Sequence, residues 1–208
     1  MKKLIFGVVC GIALTATTAV YAADTIQAYL FPVTFEVNGQ NKEVGSEYTL
    51  LNYNGHSYVP VRFVAESLGL GIKYLDKNKV ISIMNEPTNV DEVAKKVWLV
   101  QYRLTNGVDS SYVKGILGEP SVSRTNDDMQ KAIWRYDISP IKGYKYDELD
   151  NIDVTSLENS DIKAQLLVNW SNEDKVETIT LWYTTTEDKW IHVYYLYKDG
   201  STTEALYE

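Results

Sequence analysis

The only cysteine of this 208-residue chain, Cys10, lies inside an apolar run at the N-terminus. Lys2 and Lys3 precede that run, Leu4 to Val20 form it, and Val20-Tyr21-Ala22 closes it with the small outer residues that signal peptidase accepts. Residues 1–22 are therefore expected to be a cleavable signal peptide, with Ala23 as the new N-terminus. A retained anchor is the alternative. A run of about 17 residues is at the short limit for crossing a bilayer, and Thr15, Thr17 and Thr18 soften it further. Lipid attachment at Cys10 is disfavoured, because Gly7-Val8-Val9 precedes it and most of the apolar run follows it. Cleavage removes the chain's one thiol. The exported protein then has no disulfide, so core packing alone must hold its remaining length of about 186 residues. That is enough for two small domains.

Charge narrows the partners. Without Lys2 and Lys3 the chain carries 18 basic against 28 acidic residues, a formal charge of −10. Such a surface repels phosphate backbones and anionic headgroups, so nucleic acid is not an expected partner, nor is stable membrane insertion after cleavage. Tyrosine occurs 16 times and tryptophan five times, residues that suit both half-buried strands and recognition surfaces.

From Thr25 to Met84 the signals are mostly those of strands. Tyr29-Leu30-Phe31 and Val33 to Val37 are β-rich, and Asn38-Gly39 and Asn54-Gly55 supply tight turns that need positive φ. Tyr48 to Leu51 and Ser57 to Pro60 flank the second turn. A short helix follows Pro60, with Val61, Val64, Ala65 and Leu68 at helical spacing and Gly69 as its stop. Ile72 to Leu75 and Val80 to Ile83 close the region as two strands around Asp76-Lys77-Asn78.

The run Asn54-Gly55-His56-Ser57-Tyr58-Val59-Pro60-Val61-Arg62-Phe63-Val64-Ala65-Glu66-Ser67-Leu68-Gly69 resembles the core motif of the copper amine oxidase-like N-terminal domain, also called the stalk domain. Ile72 to Asp76 and Lys79 to Ile83 continue the pattern over residues 26–84. The resemblance implies an accessory module, remote from the copper of those oxidases. Copper chemistry is not expected here. Only His56 and His192 exist, too few for a site of three imidazoles, and Asn52-Tyr53-Asn54 lacks the acid that follows the cofactor tyrosine.

Glu86-Pro87-Thr88-Asn89 reads as a linker. Asn89 and Glu92 then resemble a capping box before a helix whose stripe is Val90, Val93, Ala94, Val97, Trp98 and Leu104, ended by Asn106-Gly107. Asp109 caps a second helix through Leu117. Strands are expected at Ala132 to Tyr136, Ala164 to Trp170, Val176 to Thr184, Trp190 to Tyr197 and Thr202 to Tyr207. The fold class is α+β: a small β-rich stalk domain with one short helix (residues 23–85), the linker (86–89), then a two-helix plus antiparallel-sheet binding domain (90–208). Val113 to Pro120, Trp134-Arg135-Tyr136 and the Trp/Tyr-rich final hairpin are similar to the outer-membrane-assembly lipoprotein and β-lactamase-inhibitor-protein type of fold. The segment Ser139 to Asp161 departs from it. Folds of that type bind partners on the open face of the sheet.

No Gly-x-Ser-x-Gly elbow and no His-Glu-x-x-His helix appear, so no catalytic residue, cofactor or metal is assigned. Asp147 to Asp153 could offer calcium its oxygens, but lacks the glycine and distal glutamate of an EF-hand and reads as a solvated acidic loop. Alternation along the last strands places Trp182 on the side opposite Ile179, Leu181 and Tyr183, and groups Trp190, His192 and Tyr194 with it as an aromatic platform. The expected function is that of a non-catalytic secreted or envelope binding protein. Its ligand would be cell-wall glycan or an envelope protein, bound through Trp182, Trp190, His192 and Tyr194. An inhibitor or chaperone-like regulator of an extracellular enzyme is the alternative, and a small carboxylate-dependent hydrolase the second.

Overall fold

The computed structural model describes residues 25–46, 48–75, 78–125 and 131–207. The expected signal segment, its cleavage site and Cys10 lie outside the described residues. The backbone divides into two compact units. One runs through Phe35 and resumes at Glu43–Pro60; the other comprises Glu36–Lys42 and Val61–Glu208.

Strand β1 (Tyr29–Leu30) comes first, and β2 (Phe35–Val37) and β3 (Gln40–Lys42) form a separate hairpin. The turn of that hairpin is Asn38 (φ 53°) and Gly39 (φ 76°), the left-handed pair that the sequence signalled. In the first unit β1 pairs with β4 (Leu51–Tyr53), which pairs with β5 (His56–Tyr58), all antiparallel. Asn54 and Gly55 turn between the last two at φ 50° and 78°, and the Gly55 N–H donates to Asn52 Oδ1 at 3.3 Å. This sheet is thin, with Tyr29, Leu30 and Tyr58 exposed.

The longer segment of the second unit opens with α1 (Val61–Ser67), whose buried residues are Phe63 and Ala65, whereas Val61 and Leu68 are exposed. The expected stripe was thus rotated. Strands β6 (Gly71–Leu75) and β7 (Val80–Met84) form a hairpin that lies against α2 (Glu92–Arg103). Gly71 permits this approach: a Cβ there would sit 2.5 Å from Trp98 Cζ2 and 2.6 Å from Tyr102 Cβ. Tyr102 donates its hydroxyl to Met84 Sδ at 3.0 Å, and Arg103 reaches the Gly69 carbonyl at 2.7 Å. The cap of α2 is Asp91, which accepts from Ala94 N at 2.7 Å; Asn89, the expected cap, instead sits at φ 60° in the approach to the helix. Helix α3 (Ser110–Leu117) is capped by Asp109 as expected and stopped by Gly118 at φ 84°.

The principal sheet contains β8 (Val122–Arg124), β9 (Ile133–Ile138), β10 (Ala164–Trp170), β11 (Val176–Thr184), β12 (Ile191–Leu196) and β13 (Thr202–Tyr207) in the order β13-β12-β11-β10-β9-β8. Neighbours are antiparallel throughout. The architecture is α+β, as expected. One face carries Tyr136, Ile138, Leu166, Val168, Ile179, Leu181, Tyr194 and Leu196, which pack with Val97, Trp98, Val100, Val113 and Leu117 of the two helices into the main core. The other face is covered by residues 139–163, which contain a short helix, α4 (Val154–Glu158). Leu157 and Ile162 pack on Ile191 there, with Tyr144, Ile152, Val154 and Trp182 around them.

Candidate functional site

Directly opposed residues in an antiparallel pair share a face. Trp182 opposes Val193, whereas Leu181 opposes Tyr194 and Tyr183 opposes His192. The four residues expected to form one platform are therefore divided between faces. Tyr194, 1% exposed, is part of the helix-side core, where burial and then the charge of Glu204 push its hydroxyl far above its ordinary range. His192 stands on that same face, its ring 5.1 Å from Tyr183 and nearly parallel to it. Trp182 lies on the opposite face beneath the 139–163 segment, with Tyr207 at 5.1 Å. Trp190, just before β12, is the most exposed of the four, at 36%, while Trp182 and His192 are half-buried. The misreading has a plain cause. Both faces of β12 are buried, so apolar residues at 191, 193, 194 and 196 carry no clean alternation from which to read a face.

The presumed open face is closed by a polar latch. Arg135 (2% exposed) pairs through Nε with Asp137 at 3.0 Å and donates to the carbonyls of Tyr146 (3.0 Å) and Glu148. Gln165, with no exposure, donates to Asp137 Oδ1 at 2.7 Å and accepts the Asp153 N–H at 2.7 Å. Asp153 in turn caps α4 at Ser156 N and accepts the Tyr144 hydroxyl at 3.1 Å. Burial, and then the Asp137 carboxylate, push that hydroxyl far above its ordinary range. The acidic stretch Asp147 to Asp153 is part of this latch. Among the described residues no three His, Cys, Asp or Glu side chains gather closely enough to hold a metal ion, and no helix is long and apolar enough to cross a membrane.

At one end of the sheet, around the turn between β11 and β12, the surface opens into two hollows. The first, about 510 Å³, lies on the latch side and is lined by Trp190, Tyr207, Asp188, Lys189, Ser160 and Thr185, among others. Trp190 and Tyr207 (41% exposed) present apolar rings, while the remaining four offer hydroxyls and charges. The turn that carries Trp190 is pinned. Asp188 Oδ1 accepts the Trp190 N–H at 3.0 Å, and both Asp188 oxygens lie 3.1 Å from His192 Nε2. Desolvation opposes charge on Asp188, but the Trp190 N–H and His192 outweigh it and hold its carboxyl below the usual range. The second hollow, about 420 Å³, lies on the helix side between α2 and the end of β11, with Val93, Ala94, Val97, Trp98, Gln101 and Tyr183 in its lining.

The sequence pointed to Trp190 but not to Tyr207, Asp188 or the helix-side hollow. Tyr207 could have been found by continuing the hairpin count across Asp199-Gly200, which sets it opposite Ile191. The helix-side hollow had no such signal, since Val93, Val97 and Trp98 read as an ordinary core stripe.

Residues 13–90 match the copper amine oxidase N-terminal domain. This stalk-type segment spans β1 to β7 and α1, and agrees with the resemblance of its Asn54–Gly69 motif. The matched domain is the non-catalytic N-terminal part of those oxidases. It ends before α2, so both hollows owe most of their lining to sequence outside it. No curated protein and no solved structure matches the chain, and the resemblance expected of the C-terminal half gains no support from either.

Proposed function

We propose that this is an exported, non-catalytic stalk-domain protein that binds cell-wall glycan in the cleft flanked by Trp190 and Tyr207. The observation that carries the reading is the composition of that cleft: two exposed rings set among Ser160, Thr185, Asp188 and Lys189 on the rim of a hollow of about 510 Å³. Pyranose rings have apolar faces and polar edges, so they stack on indole and phenol while their hydroxyls bond to such neighbours. The leader expected at residues 1–22 would bring the protein to that material, and an acidic chain needs such uncharged contacts because a surface of net −10 offers anions little.

Binding of the leader-free chain to purified, protein-free cell wall tests this directly. Saturable binding that soluble N-acetylglucosamine oligomers compete away, and that Trp190→Ala weakens about thirtyfold, supports it. Capture of an envelope protein that oligosaccharides do not displace would favour the inhibitor or chaperone-like reading instead. Glu158 and Asp188 both line the cleft. Release of reducing ends from the bound glycan, abolished by Glu158→Gln, would overturn the non-catalytic part and assign those carboxylates to hydrolysis.

A further inference from the structure

We infer that the glycan strand crosses the end of the sheet from the Trp190 cleft into the helix-side hollow, and that the strand is one of N-acetylated amino sugars. The inference rests on the glycan reading above. Lys163, Thr184 and Thr185 line both hollows, so the two are separated only by this crest. The crest is fixed backbone, because Thr184 donates to the Lys163 carbonyl through both its N–H (2.9 Å) and its Oγ1 (3.2 Å). The Lys163 side chain is exposed above it, a donor for the hydroxyls of a strand passing over.

The helix-side hollow has a different chemistry from the cleft. Its floor is Val93, Val97 and Trp98, and Trp98 is 7% exposed. Beside it Gln101 donates to the Tyr183 hydroxyl at 3.3 Å, which keeps that polar corner ordered. An acetamido group answers both features, with a methyl for the apolar floor and a carbonyl for the Tyr183 hydroxyl, whose own proton is not used in accepting from Gln101. A plain hydroxyl-bearing sugar supplies only the second kind of contact.

The test uses the leader-free full chain, titrated with N-acetylglucosamine oligomers of increasing length and with cello-oligomers of the same lengths. Affinity for the acetylated series should rise with length until both hollows are spanned, while the cello-oligomers gain less. Ala94 is exposed and lines the helix-side hollow, so Ala94→Trp should fill it without disturbing the core. That variant should weaken the hexamer about tenfold and leave the dimer unchanged, whereas Trp190→Ala weakens every length. If Trp190→Ala acts and Ala94→Trp does not, the crossing is wrong and the cleft reading stands. If neither variant changes binding, both are wrong. Equal affinity for the two oligomer series at every length would overturn the acetamido assignment alone.

Discussion

The two faces of the six-stranded sheet are closed in opposite ways. On the helix side, Leu166, Val168, Ile179 and Leu181 meet α2 and α3 with apolar contacts that need no particular partner. On the other side, the 139–163 segment is joined to the sheet by Arg135, Asp137 and Gln165, each bonded to specific atoms. Leu166 and Gln165 are adjacent on β10 and equally buried, yet they point into these two environments. An apolar face tolerates rearrangement and contributes most of the stability. A hydrogen-bonded face contributes less net free energy but admits one arrangement, because each lost partner strands another buried group. Residues 139–163 also pack Leu157 and Ile162 on Ile191, and the latch adds the specific bonds that fix one arrangement of the segment. In doing so it shapes one wall of the Trp190 cleft through Leu157 and Ser160.

The largest expected effect is alkaline unfolding, which attacks both faces at once. Burial raises the hydroxyls of Tyr136 and Tyr194 on the helix side, and of Tyr144 in the latch, far above the ordinary value near 10. Groups whose folded pKa is raised give stability that is complete below about pH 10 and is lost as pH rises toward the folded value. Melting temperature should therefore be flat approaching pH 9 and fall steeply above 10. Tyr144→Phe should remove only the latch's share of that slope. A profile unchanged up to pH 12 would show that these hydroxyls are not held neutral.

Next in size is Leu166→Ala, which opens a cavity in the main core and should cost about 2–5 kcal/mol, read by denaturant unfolding as a loss shared by the whole second unit. Its neighbour sharpens the contrast. Gln165→Ala leaves the Asp153 N–H without its acceptor and Asp137 with Arg135 alone, and should cost about 1–3 kcal/mol. Hydrogen exchange should place the loss unevenly, with amides of residues 144–158 deprotected while those of α2 keep their protection. Uniform deprotection in Gln165→Ala would mean that the latch and the core are one cooperative element.

How much of this could be read from sequence follows the same division. The strand at Val176–Thr184 alternates cleanly, and Asp109 and Gly118 bracket α3 with local chemistry, so these elements were legible residue by residue. The Asn-Gly turns were legible for the same reason: φ near 50° to 80° is a demand that only a few residues meet. The latch was not. Arg135 and the Glu148 carbonyl are bonded but belong to different segments, and a polar loop reads as solvated unless its distant partners are known. The cover it makes turned the expected open face into an interior one and so placed Trp182 beneath it, whereas Tyr194 lies on the helix side because β12, buried on both faces, has no clean alternation. Trp190 borders solvent because it lies at the strand's mouth, beyond the covered region.

The smallest expected effect on stability is also the most diagnostic. Trp182 and Trp190 are eight residues apart at one end of the sheet, but one is under the 139–163 segment and the other at the rim. Trp182→Ala removes a ring that touches the Ile191 cluster and Tyr207, and should cost about 1–3 kcal/mol, less than a fully enclosed tryptophan because its surroundings are half-open. Trp190→Ala should change unfolding by less than about 0.5 kcal/mol, since its side chain borders solvent and its backbone N–H bond to Asp188 does not depend on the indole. Glycan affinity should rank the two the other way. Trp190→Ala should lose most of it at once. Trp182→Ala should lose it only as far as Tyr207, deprived of its neighbour, leaves the cleft. Equal loss of stability in the two variants would place Trp190 inside the core and remove the cleft's principal stacking surface. Equal loss of affinity with unequal stability would show that the latch-side packing of Tyr207 is as necessary to binding as the exposed indole itself.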